Sequence, residues 1–179
     1  MRKKVIISIL GVLCVIILTG CSSKNNDEGE VTPVSNSENV LQEEDLDQFK
    51  VESIREVHNL NEELQAKTQE TYGLMNEWVN QGTDSSEMIK GFLELQYFCR
   101  EKVGAIEDVE KDISLKNIEL TEKEGNIIKY TKKNLEDMEE VVDLIIDGVM
   151  NSNSESLQKA TDIVQDVRFS VIAMQKLEY

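Results

Sequence analysis

Beyond Glu44, apolar residues return every three or four positions, and the two-residue alternation of a strand never persists. Leu46, Phe49, Ile54, Val57, Leu60, Leu64, Met75 and Trp78 predict a first helix from Glu44 to Gln81, weakest around Tyr72-Gly73, with Gly82 as its stop. Met88, Phe92, Leu95, Cys99, Lys102, Ile106, Val109 and Ile113 step by four and three and predict a second, which Asp84 and Glu87 open as a capping pair. A third begins near Thr121, where Thr121 and Glu124 form another capping pair. Its seam is Ile128, Thr131, Leu135, Met138, Val142, Ile145 and Val149. Ser152 and Glu155 form a third such pair ahead of a last helix carrying Leu157, Ala160, Val164, Val167, Val171 and Met174.

Four amphipathic helices with short connectors point to an all-α, antiparallel four-helix bundle spanning 44–179. An alternative joins the second and third helices differently around Ser114–Leu120, giving a three-helix body with an extended arm. The only proline is Pro33, so nothing beyond it interrupts a long helix. Before the bundle, 21–43 is polar and acidic, the composition of a disordered linker. A chain of this length spans about 25 Å when flexible, and more when its charges repel.

The first residues differ in kind. Arg2, Lys3 and Lys4 precede an apolar run, Val5 to Leu18, too short at about 21 Å to cross a hydrocarbon core of about 30 Å. A basic start and a short apolar segment make a secretory signal over 1–20. An uncleaved anchor, or a signal cut at another small residue, is the alternative. Leu18-Thr19-Gly20-Cys21 resembles the lipobox of bacterial lipoproteins. The resemblance implies cleavage between Gly20 and Cys21 and a diacylglycerol thioether on Cys21, with fatty acids such as palmitate. Cys14 does not fit, because bulky Leu13 precedes it. Two acyl chains suffice for stable attachment. The expected place is the extracytoplasmic face of the cell membrane or a periplasm.

Charge narrows the partners. The chain has 19 basic and 35 acidic residues, a formal net charge of −16. Loss of the three basic residues in the signal would bring it to −19. That balance speaks against nucleic acid, whose binders need basic patches, and favours basic proteins or cations. Of the three cysteines only Cys21 and Cys99 would survive processing, and with Cys21 acylated no internal disulfide forms, so the core must stabilise the domain. Cys99 falls on an apolar helical stripe and reads as core filler.

Parts for chemistry are scarce. The one histidine, His58, cannot supply a di-metal Glu-x-x-His pair or a zinc site, and it reads as a polar residue on a helix flank. No catalytic residue, metal or cofactor is expected beyond the lipid on Cys21. Trp78 and Phe92 are placed to meet across the first connector, as core packing or, less simply, as the wall of a ligand slot. Glu136, Glu140, Asp143 and Asp147, with Glu139 alongside, form the one patterned charged surface. It reads as a solvated flank answered by Lys159, Arg168 and Lys176, or as a face for a basic protein or a cation. The expectation is therefore a membrane-anchored, non-enzymatic protein-interaction module of the bacterial envelope. The alternatives are a bundle that binds or senses a small molecule or cation and, third, an envelope hydrolase using paired carboxylates.

Overall fold

The computed structural model describes residues 43–82 and 85–177. The chain is an all-α, antiparallel four-helix bundle of α1 (Glu43–Gln81), α2 (Ser85–Leu115), α3 (Glu122–Met150) and α4 (Ser154–Gln175). Helices two and three are joined by a tight turn, so the three-helix body with an arm is not formed. Gly20, Cys21, the expected linker up to residue 42 and Asp84 lie outside the described residues, and Glu43 begins α1. α1 is not weakened at Tyr72-Gly73. Tyr72 is buried there, its ring edge-to-face with Phe92 at 5.8 Å and 81°.

The start of α1, the α2–α3 connector and the end of α4 lie at one end of the bundle. The α1–α2 and α3–α4 connectors lie at the other. α1 spans about 58 Å at 1.5 Å per residue, whereas α4 has 22 residues and ends beside His58, whose Nε2 is 2.9 Å from the Met174 carbonyl oxygen. The first turns of α1 therefore extend past α4. They are braced instead by the α2–α3 connector and α3: the Lys116 ammonium sits 3.6 Å from the Phe49 ring centroid, and Lys50 lies 3.5 Å from Glu124.

α1 and α3 form the short diagonal of the bundle; α1 packs on all three other helices. This explains why α3 buries more than its expected seam. Ile127, Asn134, Val141 and Gly148 are buried beside Ile128, Thr131, Leu135, Met138, Val142 and Ile145. Polar side chains on the diagonal satisfy one another. Asn61 Nδ2 donates to the Thr131 hydroxyl at 2.8 Å, and Asn134 Nδ2 donates to the Asn61 side-chain oxygen Oδ1 at 3.2 Å.

The termini explain the helix lengths. Gly82 takes φ +66°, which favours glycine, and its N–H bonds the Trp78 carbonyl, ending α1. Thr121 caps α3 with both halves of the expected box: its Oγ1 accepts from Glu124 N, and Glu124 accepts from Thr121 N. The cap of α4 is Asn153, not Ser152. Ser152 adopts φ +55° to reverse the chain, which leaves the Asn153 Oδ1 to accept from Glu155 N and Ser156 N.

α3 and α4 approach closely at Gly148. A Cβ there would collide with the Leu157 side chain and come 3.2 Å from the Asn153 carbonyl oxygen, whereas a Cβ on Gly73 meets nothing. Gly148→Ala is expected to destabilise the bundle by about 1–2 kcal/mol, overpacking outweighing the gain in helix propensity. Gly73→Ala is expected to stabilise it by about 0.5–1 kcal/mol. Urea titration of the two variants checks both signs.

Candidate functional site

The acidic residues of α3 do not form one face. Glu139 is bound by Arg100 of α2, whose Nε lies 3.0 Å from Oε1, and Asp143 accepts from Gln96 of α2 at 2.8 Å. Glu140 turns the other way, to Lys159 of α4 at 2.6 Å. Glu136 is exposed. Of the expected counter-charges, Lys159 is in place. Arg100 was not foreseen, because it comes from the helix on the other flank. The Arg100 guanidinium is held protonated to higher pH by the Glu139 hydrogen bond and charge.

Asp147 belongs to the α3–α4 turn. Its carboxylate accepts from Ser156 Oγ at 2.5 Å, Asn151 Nδ2 at 2.7 Å and Asn153 Nδ2 at 2.8 Å. These bonds, that from Ser156 foremost, hold its pKa below the ordinary aspartate value. A depressed folded pKa contributes stability above the unfolded value that is lost as pH falls through the folded one. Asp147→Asn is therefore expected to lower Tm at neutral pH, with the two melting curves converging as pH falls below about 4.

The remaining candidates are structural. His58 ties α1 to the last turn of α4. Cys99 is buried, and desolvation, aided by the charge of Glu139, pushes its thiol up to about 12, so it is not a thiolate at neutral pH. Phe92 takes Tyr72 as its aromatic partner rather than Trp78, because the antiparallel register of α1 and α2 sets those two rings at one level. Trp78 is partly buried against the core. Among the described residues no group of three or more His, Cys, Asp or Glu could hold a metal ion, and no helix is long and apolar enough to cross a membrane.

What the pattern along the chain did not reveal is apolar surface. Leu93 and Tyr97, one turn apart on the solvent side of α2, are 49% and 69% exposed, and Met150 at the end of α3 is 64% exposed. Arg100–Glu139 and Gln96–Asp143 fix the register that sets Leu93 toward the end of the bundle where α3 finishes. Openings break the surface elsewhere among the described residues. An open cleft of about 500 Å³ lies between the first turns of α1 and the α2–α3 connector, bordered by Lys50, Lys116 and Asp47. A groove of about 270 Å³ runs between α1 and α2 near Ala105.

Comparison with known protein families, with curated proteins and with solved structures returns no match.

Proposed function

We propose that the chain is a lipoprotein of the bacterial cell envelope, held at the extracytoplasmic face of the membrane through diacylglycerol on Cys21, and that it acts as a non-enzymatic protein-interaction module. The observation that carries the reading is the exposed pair Leu93 and Tyr97. Large apolar side chains facing water at one turn's spacing on a rigid helix suit contact with another protein. Their place adds to this. The linker enters at the start of α1, and the pair lies toward the opposite end of a rod about 58 Å long. An anchored rod presents that end to neighbours rather than to lipid. The net charge of −16 favours a basic partner.

A photo-crosslinking residue placed at Tyr97 in intact cells tests the reading. A discrete adduct that weakens in the Cys21→Ala chain is the expected result. Absence of any adduct from Leu93, Tyr97 and Met150 would remove the docking function.

A further inference from the structure

The groove between α1 and α2 combines an apolar floor with charge that the bundle does not use. Its floor is formed by Val57 and Leu60 of α1 and by Ile106 and Val109 of α2. Ala105 stands exposed at its edge with only a methyl group. The space left, about 270 Å³, holds one leucine- or phenylalanine-sized side chain rather than a small-molecule ligand.

Glu56 and Glu63 line the α1 wall of this groove. Seven residues apart, they stand on one side of the helix about 10 Å from each other along its axis. Neither has an ion-pair or hydrogen-bond partner among the described residues. Lys102 lines the same groove, but its ammonium lies 3.3 Å from Glu101 and 5.7 Å from the Phe98 ring centroid, so it answers neither of them. The carboxylates of α3 differ. Glu139, Glu140, Asp143 and Asp147 are each engaged by a neighbouring side chain.

We infer that this groove docks an amphipathic helical segment of a basic protein partner. One aliphatic or aromatic side chain of that segment enters beside Ala105. Two lysines or arginines, seven residues apart on the same face of the segment, meet Glu56 and Glu63. A helix fits because its own i and i+7 positions repeat the spacing of the two glutamates. The strongly acidic chain draws such a segment in, and the apolar anchor holds it. The inference rests on the proposed docking function and names the chemistry of its partner.

The probe is a labelled amphipathic peptide of about five turns, with lysines at i and i+7 and a leucine between them. It is titrated against the full chain by fluorescence anisotropy. Binding is expected to weaken about fivefold in Glu56→Gln/Glu63→Gln, as two exposed ion pairs allow, and to be lost in Ala105→Trp. Asp162→Asn on α4 should bind like the parent. Circular dichroism confirms that each variant folds. Three results would overturn the groove: equal binding of a peptide with glutamates in place of the lysines, parent-like binding by the groove variants, or a dimer of the chain that Ala105→Trp dissolves. A crosslinker at Ala105 separates the two levels of the account in cells. Adducts from Tyr97 but none from Ala105 would remove the groove and leave docking intact. No adduct from either position would remove both.

Discussion

Phe92→Ala is expected to cost about 3–5 kcal/mol, the largest effect of any single substitution proposed for this chain. Phe92 is fully buried and holds the edge of Tyr72 across the α1–α2 interface. Truncation removes both the buried ring and its aromatic partner's contact, and helices on either side close only partly over the space. For a domain of this size the loss corresponds to a fall in Tm of roughly 10–20 °C. The adjacent residue is the control. Leu93 points to solvent, and Leu93→Ala should stay within about 0.5 kcal/mol of the parent. Thermal melts of the pair give the answer. A small loss at Phe92, or a large one at Leu93, would mean that α2 is rotated relative to this packing.

Asn61→Leu follows, at about 2–4 kcal/mol. The substitution leaves the Thr131 hydroxyl and the Asn134 amide without their buried partner, each at about 1–3 kcal/mol. The damage should be repairable. Replacing all three polar residues, Asn61→Leu with Thr131→Val and Asn134→Leu, removes the orphaned groups and is expected to restore most of the midpoint in urea. The polar layer would then emerge as a device for register along the α1–α3 diagonal, since these groups bond only when the two helices are at the right height. A triple variant no more stable than Asn61→Leu would show that packing volume, not hydrogen bonding, sets the cost.

Much of this architecture is legible in the sequence because burial in a helix repeats at three and four residues. Every apolar residue of the expected α4 stripe is buried, and the α3 seam is buried except at half-buried Val149. The extra burial of α3 was not legible. Asn134, and Asn61 opposite it on α1, are polar, and polarity alone reads as surface until a partner across the diagonal is known, whereas the spacing had already placed Thr131 on the seam. Tyr72 was hidden in the same way, beside a glycine that lowers helix propensity.

Side-chain partnerships were less legible than the helices. Glu139 and Glu140 are adjacent in the chain, yet one meets α2 and the other α4, because successive helical residues point about 100° apart. Asp147 continues the acidic spacing but serves the turn, a role fixed by the positive φ of Ser152 and the cap on Asn153. The groove at Ala105 needed the register of α1 against α2, which no periodicity within one helix contains. Its one local signal was an alanine beside the apolar stripe, with two glutamates a heptad apart on the helix before it.

Cys21 is central to the proposed function, because an anchor there would decide which end of the rod meets the membrane and which meets a partner. Intact mass and N-terminal peptide analysis of the chain extracted from the membrane fraction tests this directly. The expected result is a mature chain that begins at Cys21 and carries the added mass of a diacylglycerol, with both features lost in Cys21→Ala. A chain that keeps Val5–Leu18, or that begins at another residue with Cys21 unmodified, would contradict it.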